Sequence, residues 1–227
     1  ASRDGFLKFR GGFCKLTTAN SPSKLASLSI PYIIMDEVDK YPRWAGREAN
    51  PIKLARERSK NWPGMMKLVL ISTPTIKEGN ITKAYNEADV RYKYYVPCPH
   101  CGHMQPLTWD GVKFDSKEHA TVVEYQTHYE CCECHGIIKD HHKPEMLRRG
   151  KWVAQNKCKG KPKRIAYSIN SIYSPWITFG QVAAEFQRSK DDPADLMNFI
   201  NSWLGEPWEN LSANMDIGSV LEQRKEI

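Results

Sequence analysis

An α/β fold on a mostly parallel sheet, with a cysteine-rich insertion and a helical last third, is predicted by three features of this 227-residue sequence. The first is a pair of short continuous apolar runs, residues 32–35 and 67–73, joined by a segment with helical punctuation. Strands buried on both faces read this way, and two of them linked through a helix fit parallel pairing. The second is a pair of C-x-x-C knuckles, at 98–101 and 131–134. The third is a pair of amphipathic, well-capped segments after residue 178. Apolar residues make up 41% and charged residues 26% of the chain, enough for a core and too apolar for disorder.

Taken in order, Phe6-Leu7-Lys8-Phe9 and Phe13-Cys14-Lys15-Leu16 flank Arg10-Gly11-Gly12, the pattern of a β-hairpin. Asn20 or Ser21, followed by Pro22, caps a short helix that must stop before Pro31. Then Tyr32, Ile33, Ile34 and Met35 run straight into Asp36 and Glu37. Two adjacent carboxylates at the exit of a buried strand need a partner or a metal. This is the form of a Walker B strand in a nucleotide hydrolase. In that reading Asp36 holds Mg²⁺, usually through water, and Glu37 orients and deprotonates the attacking water. The plainer reading is an ordinary strand leaving the core through an acidic turn.

Asn50-Pro51 opens a helix expected to reach about residue 61, where Trp62-Pro63-Gly64 breaks it. The run at 67–73 ends on Ser72-Thr73-Pro74. Strand ends along one edge of an open sheet are where such sheets place ligands. Ser-Thr-Pro alone is a common turn sequence, but one strand after the acidic pair Ser72 and Thr73 can touch the γ-phosphate or the attacking water and pass the hydrolysis state to a distant DNA-binding element.

The seven cysteines are odd in number, and the N-terminus carries no apolar secretion signal, which argues for metal binding over a disulfide framework. Cys98-Pro99-His100-Cys101-Gly102 and Cys131-Cys132-Glu133-Cys134-His135-Gly136 have the spacing of a structural zinc ribbon. The expected ligands are Cys98, Cys101, Cys131 and Cys134. Cys132 stands as an alternative to Cys131, and His135 to Cys134. Residues 104–109 and 122–125 read as short strands between the knuckles. Four protein ligands leave no open position for substrate, so the metal is expected to be structural.

The net charge is +7. A basic balance favours an anionic partner, and the tract Lys157-Cys158-Lys159-Gly160-Lys161-Pro162-Lys163-Arg164 offers phosphate contacts or a solvated loop. No apolar run approaches the roughly 20 residues of a membrane span, so a cytoplasmic protein without membrane partners is expected. Residues 164–173 alternate like a strand and are expected to return to the main sheet. Thr178 and Gln181 form a capping box ahead of Phe179, Val182, Ala183 and Phe186. Asp192-Pro193 starts a further helix with Leu196, Phe199, Ile200 and Trp203 on one face, stopped by Gly205 and Pro207. These stripes read as core.

Several segments together resemble the large terminase subunit of tailed, lambda-like phages: NSPSKLAS, IIMDEVDKYP, EANPIKLARERS, LISTPT, VPCPHCGHMQPL, YSPW and FINSWLGEPWE. Their order and spacing cover roughly residues 15–210. The resemblance implies the sheet of a P-loop-type (ASCE) ATPase, here incomplete, and a viral DNA-packaging motor. Such a motor uses ATP and Mg²⁺ to drive double-stranded DNA through a portal into a capsid. It works as an oligomer with a small terminase subunit in the host cytoplasm, and a separate endonuclease domain cuts the DNA. It implies that Asp36 and Glu37 are the Walker B pair and that Ser72-Thr73-Pro74 is the coupling motif.

No G-x-x-x-x-G-K-[ST] loop occurs in the chain. The expected organisation is residues 1–92 as the second half of the ATPase core and 93–140 as the ribbon. Residues 141–210 are expected to complete the ATPase region, and 211–227 to lead towards a nuclease outside the chain. Such a piece is expected to be nearly inactive alone. The competing readings are a zinc-ribbon module that binds nucleic acid or a partner without catalysis, and a helicase-type ATPase fragment.

Overall fold

A computed structural model describes residues 5–21, 28–42 and 50–209. The chain divides into two compact units, residues 1–72 and 73–227.

The first unit opens with the expected hairpin. Strands β1 (Phe6–Phe9) and β2 (Gly12–Lys15) pair antiparallel, with Phe9 opposite Gly12. Gly11 takes a positive φ of 86° in the two-residue turn, and Phe6 stacks on Phe13 at 4.9 Å. The helix expected after Asn20 falls on residues 22–27, outside the described residues. Strand β3 (Tyr32–Met35) is followed by helix α1 (Pro51–Glu57) and strand β4 (Lys67–Leu70). Asn50 caps α1 as expected by accepting from the Ile52 amide at 2.9 Å. The helix ends at Glu57, before residue 61, in a series of turns that runs to Gly64 at φ 80°.

β3 and β4 pair in parallel, Tyr32 against Lys67 through Met35 against Leu70. Burial on both faces, expected from the continuous apolar run, holds for one face only among the described residues. Met35 is buried at 4% exposure, but Ile34 on the opposite face is 73% exposed. An unbroken apolar run shows that both faces suit burial, not that both are covered.

The second unit is built around β5 (Val90–Pro97), which follows helix α2 (Asn80–Asn86). Next come β6 (Met104–Pro106), β7 (Val112–Lys113), helix α3 (Ala120–Gln126), β8 (His128–Glu130) and β9 (Ile137–Ile138). Helix α4 (Lys143–Arg148), β10 (Lys151–Ala154), β11 (Ile165–Ser168), α5 (Phe179–Ser189) and α6 (Pro193–Asn198) complete it, and α6 runs into a π-helical turn, Phe199–Trp203. β10 (antiparallel) and β11 (parallel) flank β5, and β6 pairs antiparallel with its last residues. β7, β8 and β9 form a separate antiparallel sheet. Among the described residues the strand at 165–168 therefore pairs with β5 and not with β3 or β4, against the expected return to the main sheet.

The strand expected at 122–125 is instead α3. His119 caps it, and Ala120 and Val123 bury one face. Gly180 of α5 meets α3 so closely that an added Cβ would lie 1.9 Å from the Glu124 carbonyl oxygen. The strand propensity of Val122-Val123 yields to this helix–helix packing. The Thr178/Gln181 capping box forms as expected at the start of α5. Val96, Leu107, Tyr129, Ile138, Phe179, Val182 and Phe199 share one core. No helix among the described residues is long and apolar enough to cross a membrane.

Candidate catalytic strand end and metal centre

In the first unit, the backbone after β3 turns sharply. Glu37 sits in the left-handed region at φ 53°, immediately before a 3₁₀ turn, Val38–Lys40. A non-glycine residue held there costs on the order of 1–3 kcal/mol, and such outliers gather at functional positions. The Glu37 amide donates to Asp36 Oδ1 at 3.0 Å, which fixes the Asp36 carboxylate on the exposed side of the turn. Burial, then the nearby Asp36 charge, push the Tyr41 hydroxyl up. Glu37 Oε2 is shielded, has no hydrogen bond, and lies 3.4 Å from Lys40 Nζ.

The turn is sewn to the end of β4. The Ile71 amide donates to the Met35 carbonyl at 2.9 Å and the Val38 amide to the Ile71 carbonyl at 3.2 Å. The Asp39 amide donates to Ser72 Oγ at 3.1 Å. Asp36, Glu37 and Ser72 thus occupy one end of the parallel pair. Thr73 follows directly as the first residue of the second unit. Asp36 is exposed and Glu37 half-buried, so the carboxylate pair expected at the exit of a buried strand is accessible.

In the second unit, Cys98, Cys101, Cys131 and Cys134 bring their sulfur atoms within 4.8 Å of one another. Cys98 lies 3.8 Å from Cys134 and Cys101 3.8 Å from Cys131, sulfur to sulfur. A tetrahedron of sulfurs each about 2.3 Å from a zinc ion has edges of about 3.8 Å, so the donor set and its spacing fit that metal. The two knuckles are built alike. In the first, the Gly102 amide donates to the Cys98 carbonyl at 3.0 Å and the His100 amide to Cys98 Sγ at 3.4 Å. In the second, the His135 amide donates to the Cys131 carbonyl at 3.1 Å and the Glu133 amide to Cys131 Sγ at 3.4 Å.

Gly102 is left-handed at φ 75°, and His135 fills the same place at φ 55°. His135 is therefore the turn residue of its knuckle, held by Glu130 at 2.7 Å, and lies outside the group of four sulfurs. Cys132 is exposed and also outside it; its amide donates to Gln105 Oε1 at 2.9 Å. Gly136 has a different role: a Cβ there would meet His100 Cδ2 at 2.7 Å and Cys134 Sγ at 3.2 Å.

Burial pushes the Cys131 thiol up. The amides of Cys134 and Glu133 and the thiols of Cys98 and Cys134 outweigh it and bring Cys131 down to about 6. The Gly136 amide pulls Cys134 down, but Cys101, burial, Cys131 and Cys98 push it up to about 12. Four thiolates this close repel one another unless a cation sits among them. Gln105 Nε2, buried with no hydrogen-bond partner, leaves a donor beside the second knuckle.

Two side chains take places that the sequence does not signal, and Lys143, which reads as one of a basic stretch after the second knuckle, is buried instead. Lys143, 2% exposed, donates to the Ile177 carbonyl at 2.6 Å and lies 4.1 Å from the Phe179 ring centre. Asp140 Oδ1 accepts from the Phe179 amide at 2.8 Å, at the start of α5. Burial lowers the Lys143 pKa, and Asp140 opposes the shift. The only local signal was an acid three residues before a lysine, which is common on any surface.

Known proteins point the same way. Residues 2–152 match the family model of the phage terminase large subunit gpA, ATPase domain, and residues 164–227 match that of the terminase large subunit gpA, endonuclease domain. The chain is similar to the terminase large subunit of Enterobacteria phage P21, 30% identical over 207 residues that cover 80% of this chain and 30% of the relative. It is also similar to the terminase large subunit of Escherichia phage lambda, 25% identical over 210 residues, 84% of this chain and 32% of the relative. The chain thus spans about a third of the length of these curated relatives. No solved structure matches it. With a matched ATPase-domain model over most of its length, the chain belongs to the phage terminase large subunit family.

Proposed function

We propose that this chain supplies the Walker B and coupling side of a viral DNA-packaging ATPase and carries a structural zinc ribbon. The observation that carries the reading is the stitch from the acidic turn to the end of β4, Val38 to Ile71 and Asp39 to Ser72. Asp36, Glu37 and Ser72 lie at the carboxyl end of two parallel strands, and open α/β sheets bind ligands at such ends, which supports the reading.

Asp36 is the group that would hold Mg²⁺: its carboxylate is exposed and oriented by a backbone amide. The metal, when bound, neutralises charge on the β- and γ-phosphates. Glu37 orients the attacking water and takes its proton. Ser72, tied to the Asp39 amide, and Thr73 after it report the state of that site along the chain. The sheet is read as part of a P-loop-type (ASCE) ATPase sheet. No G-x-x-x-x-G-K-[ST] loop occurs in these 227 residues, and the phosphate cradle is read as supplied from outside them.

Zinc is the metal we assign to Cys98, Cys101, Cys131 and Cys134, in a closed site without a substrate position. Residues 1–92 are read as the Walker B half and 93–140 as the ribbon. Residues 141–210 complete the packed region, and 211–227 lead onward. The endonuclease-family match starts at 164, inside the third stretch, so the helices around 179–203 are read as the joint between the two activities. Double-stranded DNA, a small terminase subunit and a portal are the proposed partners of the assembled oligomer, in the host cytoplasm.

The test is kinetic. The chain alone should show negligible ATP turnover. A longer polypeptide that adds a phosphate-binding loop to these residues should hydrolyse ATP, and Glu37→Gln should lower its turnover by about 10²–10⁴-fold while nucleotide binding persists. Unchanged turnover in the Glu37→Gln protein would remove Glu37 from the mechanism.

A further inference from the structure

We propose that the loop between β10 and β11, residues 155–164, is a contact for the phosphodiester backbone of nucleic acid, at the opposite end of β5 from the cysteine cluster. This goes beyond the reading above, which names DNA as a partner and assigns it no surface, and it does not depend on ATP chemistry.

The loop carries Lys157, Lys159, Lys161, Lys163 and Arg164, all exposed, and no acidic residue. Arg164 is engaged by Glu87 at 3.2 Å and Asp89 at 3.8 Å. Lys157, Lys159 and Lys161 have no acidic partner among the described residues. Clustered, uncompensated lysines are the electrostatic footprint of a polyanion site.

A lysine-rich loop is ordinarily just a solvated one. Here its base is fixed by groups other than its lysine side chains. Asp89 Oδ2 accepts from the amides of Lys163 at 2.8 Å and Arg164 at 2.9 Å, which hold the Asp89 carboxyl below its usual range. Asn156 donates to the Asp89 carbonyl at 2.8 Å and accepts from the Arg91 amide at 2.9 Å. The Gln155 amide donates to the Arg91 carbonyl at 2.8 Å. The charged tip turns at Gly160, left-handed at φ 89° with open space around it. A fixed base lowers the ordering cost of binding.

The sheet end beside the loop is aromatic. Tyr92 lies opposite both Ala154 and Tyr167, at the points where the chain leaves β10 and has just entered β11. Tyr92 stacks on Tyr167 at 5.3 Å, and Trp152 meets Tyr167 edge-on at 4.9 Å. Tyr167 is 57% and Trp152 41% exposed. Lysines next to open rings suit phosphates with adjoining bases. β5 runs eight residues from Val90 at this end to Pro97, just before Cys98. At about 3.3 Å per residue that separates the loop from the ribbon by roughly 25 Å.

The test titrates the full chain with a duplex and a single strand of mixed sequence, at several salt concentrations, by fluorescence anisotropy. The quadruple variant Lys157→Gln, Lys159→Gln, Lys161→Gln, Lys163→Gln should bind duplex at least about tenfold more weakly at low salt, with a log-affinity against log-salt slope shallower by about 3. Its melting temperature should not change, because Asp89, Asn156 and the backbone hold the loop base. Tyr167→Ala separates the two sources of phosphate. A loss confined to the single strand assigns the site to unpaired bases, and unchanged single-strand binding alongside the lysine effect assigns it to the duplex backbone. Unchanged affinity and slope in the folded quadruple variant, as expected if the loop served an acidic protein surface instead, overturn the proposal.

Discussion

The parallel pair β3–β4 and the core packed around β5 lie in different surroundings. In the first, Ile34 remains 73% exposed and the acidic pair is reached from solvent. In the second, Val96 and Ile138 are fully buried, together with the sulfurs of Cys98 and Cys131. The difference lies in what holds each end in place. The acidic turn is held by backbone hydrogen bonds to the end of β4 rather than by a shell of buried side chains. Of the four clustered cysteines, Cys98 and Cys131 sit in the core and Cys101 and Cys134 are exposed. The cysteine cluster is therefore no loose appendage: Cys98 and Cys131 pack in the same core as Phe179, Val182 and Phe199.

The strongest way to break this comparison is to remove the metal. If the ribbon were separate, Cys131→Ser or chelation would unfold only the knuckles. Because Cys131 shares its core with α5, the loss should spread through the second unit, α5 included, while β3 and β4 keep their exchange protection. Metal binding in zinc modules is worth on the order of 10 kcal/mol, comparable to the whole stability of a domain. Hydrogen exchange of the full chain measures the outcome. Protection of α5 unchanged after metal loss would make the ribbon an independent staple.

A smaller effect sharpens the contrast at the level of packing. Gly180→Val puts side-chain atoms where the Glu124 backbone lies, so α3 and α5 must part, at a cost of about 3 kcal/mol. Ile34→Ala, on the uncovered face of β3, should cost less than about 0.5 kcal/mol. Denaturant melts of the two variants compare them directly. Equal costs would mean that the β3 face is covered in solution.

Much of this was legible in the sequence where the signal is local. Gly11 marked the hairpin turn, Thr178 and Gln181 the capping box, and Asn50 the start of α1. The cysteine spacing named the four sulfurs that come together. What sequence could not show is non-local. Nothing in Ile165 or Tyr167 names β5 as a partner, and Val122-Val123 looks like a strand until Gly180 brings a helix against it. At the candidate catalytic end the residue types were readable, but the left-handed Glu37 was not. No local rule places a glutamate there, and the hydrogen bonds that tie the strained turn to Ile71 and Ser72 are non-local.

The smallest expected effect concerns His135, where the second knuckle departs from C-x-x-C-G. A ligand histidine would be indispensable. A turn residue in the left-handed region would be replaceable by glycine, which occupies the matching place in the first knuckle as Gly102. His135→Gly relieves about 1 kcal/mol of backbone strain. Against that stand the ion pair with Glu130, exposed on the histidine side and worth a few tenths of a kcal/mol, and the greater freedom of glycine in the unfolded chain. The sum should lie within about 1 kcal/mol of zero. Metal content by atomic absorption should stay at one ion per chain. Loss of the ion in this variant would move His135 into the ligand set and displace Cys134.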